Sequence, residues 1–317
     1  MALQVEDLRV HYRTTRGDVR ALDGVSFGLE DGEIMGLAGE SGCGKTTLGK
    51  SLIRLDGRMR HVGGTAVLDE TELPIGDDRA MNARRFSDVS IIPQYSMSAM
   101  NPTRKIGKLT ADLLRAKGKS FKEVKPELVR RLELVGLSEK VLDNYPIELS
   151  GGMKQRMVMV LSTLLDPSLL IADEVTSALD VSNQKAVAET LVRFRDLGFV
   201  KSMIVVTHDL SLVYQIADTI MIMYAGQVVE KAPADTIIKS PKHPYTRALI
   251  GALPEVGLEY GDERLKSIPG KPPQLLNPPT GCRFRDRCPL AHERCLEEPP
   301  AVAIADDHVA SCWKVVD

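Results

Sequence analysis

The sequence predicts an α/β fold with its ligand chemistry gathered at the ends of parallel strands. Three observations predict it. An apolar run, Ile34 to Ala38, leads into the glycine-rich stretch Gly39-Glu40-Ser41-Gly42-Cys43-Gly44-Lys45-Thr46, and apolar residues at helical spacing (Leu48, Leu52, Leu55) follow. A second apolar run, Leu169 to Ala172, ends in the paired acids Asp173-Glu174. A third, Met203 to Val206, delivers His208 just beyond its end. The chain has 317 residues, 43% of them hydrophobic and 26% charged, which is enough material for a sizeable core and two domains.

Bulk charge narrows the function. The formal net charge is −2 and only 4% of residues are aromatic, so neither a basic field nor a base-stacking surface points to nucleic acid. Apolar runs stay well short of the roughly 18 residues a membrane helix needs. Met1 to Asp7 lacks the basic start and apolar core of a signal peptide, so the expectation is a cytoplasmic protein that reaches a membrane only through partners.

In chain order, Leu3 to Val10 alternates like a half-buried strand, Thr14 to Asp18 reads as a turn, and Val25 to Leu29 reads as a returning strand. On residue pattern alone Tyr12 is an ordinary sheet aromatic. The glycine stretch fits the phosphate-loop pattern G-x-x-x-x-G-K-[ST], with strand before and helix behind. Its backbone amides can turn inward around phosphates, Lys45 can reach the terminal phosphates, and the Thr46 hydroxyl suits Mg²⁺. Residues 56–90 are polar, with Gly63-Gly64 and Gly76-Asp77-Asp78 read as turns. Val89 to Pro93 is a short strand ending at Gln94, and the stretch Tyr95 to Pro102 reads as a loop leaving it. That glutamine is either solvated or a ligand to Mg²⁺ or water.

Residues 103–145 read as helical, with stripes at Leu109, Leu113, Leu114 and at Leu128, Leu132, Val135. Pro126 is expected to kink or restart a helix and Gly136 to end one. Ser150 should cap a helix running from Met153 to Leu165, and Gly151-Gly152 at its start offer either a second anion site or simply a well-capped helix. Asp173 and Glu174 suit Mg²⁺ and an attacking water respectively, if a phosphate loop lies beside them. Thr219 to Tyr224 and Gln227 to Glu230 form a hairpin across Ala225-Gly226. From about Pro233 the composition shifts, and the proline-dense stretch Pro269 to Pro279 reads as an extended connector. Beyond it stand Cys282, Cys288, Cys295 and Cys312, spaced x5, x6 and x16. In a cytosolic protein such a set is a metal site before it is a disulfide framework, and four thiolates suit either zinc or a [4Fe–4S] cluster.

Taken together, the glycine loop, Gln94, Leu149-Ser150-Gly151-Gly152-Met153-Lys154-Gln155-Arg156, Asp173-Glu174, Ser177-Ala178-Leu179-Asp180 and His208 resemble the ATP-binding cassette (ABC) ATPases. The tail, through His243-Pro244-Tyr245-Thr246-Arg247-Ala248-Leu249, Ile268-Pro269-Gly270 and the cysteines, resembles the ATP-binding subunits of dipeptide and oligopeptide importers. The resemblance implies a P-loop NTPase cassette over residues 1–235, RecA-like in its mixed sheet, with an N-terminal antiparallel β subdomain and a helical subdomain at about 96–165. Residues 236–317 would form a small cysteine-rich regulatory extension. It implies ATP and Mg²⁺ as ligands, with Gly39, Ser41, Gly42, Cys43, Gly44, Lys45, Thr46 and Thr47 around the triphosphate. Thr46, Gln94 and Asp173 would attend Mg²⁺, Glu174 would be the general base, and Gln94 and His208 would sense the γ-phosphate. Tyr12 is reassigned to adenine stacking. Ser150, Gly151, Gly152 and Gln155 would complete the ATP site of an opposing cassette, and Asp180 would sit at the contact between the two. Val175 stands where the family commonly has proline. The cysteines are implied to hold a [4Fe–4S] cluster, with zinc as the alternative.

The implied activity is ATP hydrolysis that drives import of di- or oligopeptides, or of a related solute such as an oligosaccharide or nickel. The implied partners are a second cassette of the F type, two membrane permease subunits and, indirectly, an extracytoplasmic solute-binding protein. The implied location is the cytoplasmic face of the cell membrane. The alternative is a soluble ABC machine working on ribosomes or nucleic acid.

Overall fold

The computed structural model describes residues 1–94, 98–176, 179–253 and 268–316. β1 (Leu3–Thr14) and β2 (Gly17–Leu29) form a long hairpin, each strand running further than the alternation predicts. β3 (Ile34–Ala38) is buried at every position and feeds α1 (Lys45–Ser51), which begins and ends earlier than expected. β4 (Met59–Leu68), β5 (Thr71–Glu72), α2 (Asp78–Arg84) and β6 (Val89–Ile92) follow. The reading of Gly63-Gly64 as a turn is corrected here, since both lie inside β4. Pairing of β4 with β1 slips between Glu6 and Arg9. There Gly64 adopts φ +80°, and a Cβ on it would fall 2.2 Å from the Asp7 carbonyl oxygen. The glycine marks a bulge, which a polar sequence signals no differently from a turn. At Gly76-Asp77-Asp78 the expected turn is present, and the Asp77 carboxylate caps α2 by accepting from Arg79 and Ala80 N–H at 3.0 Å.

α3 (Ile106–Ala116), α4 (Phe121–Leu134) and α5 (Gly151–Thr163) make the helical region. Both predicted leucine stripes pack into the core. Pro126 neither ends nor restarts a helix: α4 is continuous across it, and the break falls earlier, where Gly118 takes φ +67° between α3 and α4. Gly136 follows α4 at φ +69° and its N–H returns to Glu133 O, closing the helix as expected. Arg131 is buried on α4 and ties it to the end of α5. It donates to the Thr163 carbonyl and to Asp166, and its guanidinium lies 3.9 Å from the Phe199 ring centroid.

β7 (Leu169–Asp173), α6 (Val181–Asp196), β8 (Ser202–Val206), α7 (Leu210–Ile216), β9 (Thr219–Tyr224) and β10 (Gln227–Pro233) complete the central part. Short helices α8 (Ala234–Lys239) and α9 (Pro244–Ile250) come next, then β11 (Ala301–Ala305), β12 (His308–Ser311) and α10 (Trp313–Val316). The strands form an antiparallel sheet, β2-β1-β4-β5, and a mixed sheet, β11-β12-β10-β9-β3-β8-β7-β6. The tail therefore continues the central sheet: β12 pairs with β10 at Glu230↔Ala310 and Lys231↔Val309.

In the parallel part the register brings four strand ends level, with Leu37 opposite Val206, Val206 opposite Asp173, and Ala172 opposite Ile92. Alternate residues feed two cores. Ile34, Leu170, Met203 and Val205 face the helices, while Met35, Leu37, Ile171 and Ile204 face α1 and the antiparallel sheet. Burial on both faces explains why these strands read as unbroken apolar runs. Each such fully buried side chain contributes about 1.5–3 kcal/mol. That rigid platform fixes the positions of the loops leaving the level strand ends.

Candidate active site

Every loop that leaves the level strand ends carries a predicted site residue. A cleft of about 350 Å³ opens there, lined by Tyr12, Ser41, Gly42, Lys45, Thr46, Thr47, Gln94 and Glu174 among others. Gly44 takes φ +113°, and a Cβ on it would meet the Ala21 carbonyl oxygen at 2.5 Å, so the loop can hug β2 only with glycine there. Lys45 is buried and folds back along the loop, its Nζ donating to the carbonyls of Gly39 (2.7 Å) and Glu40 (3.1 Å). Cys43 is buried against it, Sγ 3.8 Å from Nζ, and burial raises its pKa, so it sits as an unionised small residue.

Thr46 Oγ1 donates to Asp173 Oδ1 at 3.3 Å. Burial raises the Asp173 pKa, the Thr46 hydrogen bond opposes that, and Glu174 next door adds to it. A carboxylate held against a hydroxyl offers two oxygens of the kind that could hold a divalent cation. Gln94 Nε2 donates to Glu174 Oε2 at 2.6 Å, and His208 Nδ1 lies 3.8 Å from Glu174 Oε1. Glu174 has φ +47°, a conformation rare outside glycine, and its N–H is anchored on Val206 O at 2.9 Å. Two predicted residues, from beyond the ends of β6 and β8, therefore converge on the carboxylate that follows β7. Tyr12 Oη is 3.3 Å from Thr47 Oγ1, which puts its ring at the cleft wall.

Other predicted residues lie apart from this cleft. Ser150 caps α5, accepting from Met153 N–H at 3.3 Å, and Gly151-Gly152 open that helix. Gln155 is 2% exposed, its Nε2 donating to the Val175 carbonyl, so it braces the step after Glu174. Val175 is itself buried, so that bond and its packing hold the backbone where the family's proline would. Asp180 caps α6, accepting from Asn183 N–H at 3.0 Å. Ser177-Ala178 and Tyr95 to Met97, within stretches that the sequence reading uses, lie outside the described residues.

The four tail cysteines are free thiols. Burial is the main force raising the pKa of Cys282, Cys288 and Cys312, carrying Cys282 up to about 11, and charge interactions among the four link every pair. So the set converges. Among the described residues, however, no group of three or more His, Cys, Asp or Glu side chains is placed to hold a metal ion. Four thiols are a donor set that suits zinc or an iron–sulfur cluster by chemistry alone.

Sequence reasoning missed Leu275, which comes from the proline-dense connector to line the cleft while its carbonyl accepts from Arg20 N–H at 2.9 Å. It also missed the tail residues that touch the glycine loop. Only contact across the fold reveals them.

Known proteins agree with this picture. Residues 22–177 match the family model for ABC transporter, and residues 229–295 match that for the Oligopeptide/dipeptide transporter, C-terminal region. The chain is 39% identical over 318 residues to the oligopeptide transport ATP-binding protein OppD of Salmonella typhimurium, covering 99% of this chain and 94% of that one. It is 38% identical to the dipeptide transport ATP-binding protein DppD of Bacillus subtilis, covering 98% and 94%. In structure it is similar to the dimeric ABC transporter cassette MJ0796, with a TM-score of 0.64 at 22% identity over 73% of this chain and 98% of that one. This chain belongs to the ABC transporter family of ATPases, in its oligopeptide/dipeptide branch.

Proposed function

We propose that the chain powers uptake of di- or oligopeptides by hydrolysing ATP beneath a membrane permease. The observation that carries this reading is the union, in one chain, of the Glu174-centred cleft with a tail matching the oligopeptide/dipeptide transporter region. No helix among the described residues is long and apolar enough to cross a membrane, so the permeation path would belong to two partner subunits.

In this reading the loop amides and Lys45 take the triphosphate, with Lys45 leaving the Gly39 and Glu40 carbonyls for the terminal phosphates. The Tyr12 ring stacks on adenine. Thr46, Asp173 and Gln94 would hold Mg²⁺, which when bound neutralises charge on the β- and γ-phosphates. Glu174 accepts the proton of the attacking water. Gln94 and His208, both already at Glu174, register the γ-phosphate and orient that water. Ser150, Gly151 and Gly152 at the start of α5 would face the nucleotide of a second cassette, an F-type relative, with Asp180 near the junction. Closure of the pair drives the permease at the cytoplasmic face, and a solute-binding protein outside supplies the peptide. Cys282, Cys288, Cys295 and Cys312 would hold a [4Fe–4S] cluster, which when bound would crosslink the tail. Anaerobically purified protein should be brown and the Cys288→Ser variant colourless, whereas stoichiometric zinc in a colourless wild type would remove the cluster.

Purification of the tagged chain in mild detergent from its host tests the transport reading. Two multi-span membrane proteins and a second cassette should copurify. Ribosomal proteins or nucleic acid without membrane subunits would overturn it.

A further inference from the structure

Glu40 stands between the first two glycines of the phosphate loop, where a negative charge opposes the binding of a polyphosphate. All of its polar groups are engaged, and the tail engages two of them. Arg287, 247 residues away in sequence, donates from Nη1 and Nη2 to the two carboxylate oxygens of Glu40 at 2.6 and 2.9 Å. The guanidinium is itself locked. Its Nε donates to the Pro269 carbonyl at 2.7 Å and Nη1 to Tyr224 Oη at 3.2 Å, and its side chain is 5% exposed. Tyr245, fully buried, accepts the Glu40 N–H on its Oη at 2.8 Å. Its ring packs on Tyr224 and Phe284 with centroids 4.6 and 5.3 Å away. The Glu40 carbonyl is left to face Lys45.

A bidentate, desolvated arginine is the strongest way a side chain can hold and neutralise a carboxylate. Nothing in the chemistry derived above uses Arg287. Its reach across the fold leaves it one evident task. We propose that Arg287 is a positioning residue of the nucleotide site. From the C-terminal extension it cancels the charge of Glu40, so that the phosphate loop can accept ATP at full affinity. The proposal rests on ATP being the ligand of the cleft, and it adds that the tail sets the affinity.

The test measures MgATP binding by calorimetry, and steady-state kcat and KM, on the full chain in four forms: wild type, Arg287→Gln, Glu40→Gln and the double variant. Arg287→Gln should weaken MgATP binding and raise KM about tenfold, with kcat changed less than about twofold. The double variant should return to within about threefold of wild type, because a neutral Glu40→Gln side chain no longer needs a cation. If Arg287→Gln binds MgATP like wild type, or if the double variant is as weak as Arg287→Gln, the proposal fails. Should Arg287→Gln not fold, Glu40→Gln alone decides. It removes a negative charge from the phosphate loop and leaves the Arg287 cation next to it, so binding must be as tight as wild type or tighter, and weaker binding overturns the assignment. A wild-type chain that binds no MgATP would remove the ATPase reading itself, a distinct result.

Discussion

The two halves of the central sheet are built by opposite rules. From β6 to β9 the strands run parallel, and four of the five place candidate site residues at or just beyond their ends: Gln94 after β6, the glycine loop after β3, Asp173-Glu174 at the end of β7 and His208 after β8. From β10 to β11 the strands are antiparallel, contribute no group to the cleft, and are joined by contacts between residues far apart in sequence. Glu230 on β10 has no exposed surface. It accepts the N–H of Lys242 and of His243 at 2.6 and 3.0 Å, and pairs with His308 Nε2 at 2.8 Å. One half carries the candidate site residues on short motifs. The other holds those groups in place from a distance, through Arg287, Tyr245 and Leu275. The lesson is that chemistry and support separate along the sheet, so substitutions in the two halves should separate in what they change.

Glu174→Gln should give the largest effect. It keeps size and the contact with Gln94 but cannot accept a proton, so kcat should fall about 10²–10⁴-fold, roughly 3–5 kcal/mol of barrier, while MgATP binding persists. Single-turnover hydrolysis set beside nucleotide binding checks this. Turnover near that of wild type would break the comparison, because the parallel half would then not hold the general base.

That same division decided what the sequence could disclose. Strands that end in a motif announce themselves, since a buried apolar run stops where a Gly, Asp or His must do something polar. β3, β7 and β8 were legible for this reason, and so was the placement of Lys45, Thr46, Gln94, Asp173, Glu174 and His208 at or beyond strand ends. Gly64 was not, because a bulge and a turn use the same glycine and only the partner strand tells them apart. Pro126 was not, because losing one N–H contact does not outweigh the apolar face that Phe121 and Val124 begin before it and Leu128 and Leu132 continue after it. Gln155 matched a motif, yet whether its amide faces out or in depends on the Val175 carbonyl twenty residues later. Leu275 and Arg287 had no local signature at all. Their meaning lies in Arg20 and Glu40, which the fold alone brings near.

A smaller effect should appear with pH through the antiparallel half. His243 caps α9 by accepting the Tyr245 N–H on Nδ1 at 3.0 Å, which only a neutral imidazole can do. Burial pulls its pKa from 6.5 down to about 4, against the opposing pull of Glu230. Between those two values the unfolded chain binds a proton that the folded chain refuses. Stability is therefore full above pH about 6.5 and is lost as pH falls toward 4, by roughly 3 kcal/mol over the window. Trp313, the single tryptophan, sits in the tail with its Nε1 donating to Glu297 O at 3.1 Å, so its fluorescence reports from this half. Urea unfolding followed at Trp313 should show wild type losing more stability than His243→Asn as pH drops from 7 to 4. Asparagine can still cap the helix but does not titrate. Parallel pH profiles for the two proteins would mean that the buried histidine is not what makes the tail acid-sensitive. Divergent profiles, with MgATP affinity falling together with the Trp313 signal, would show that the loop loosens when its distant support does.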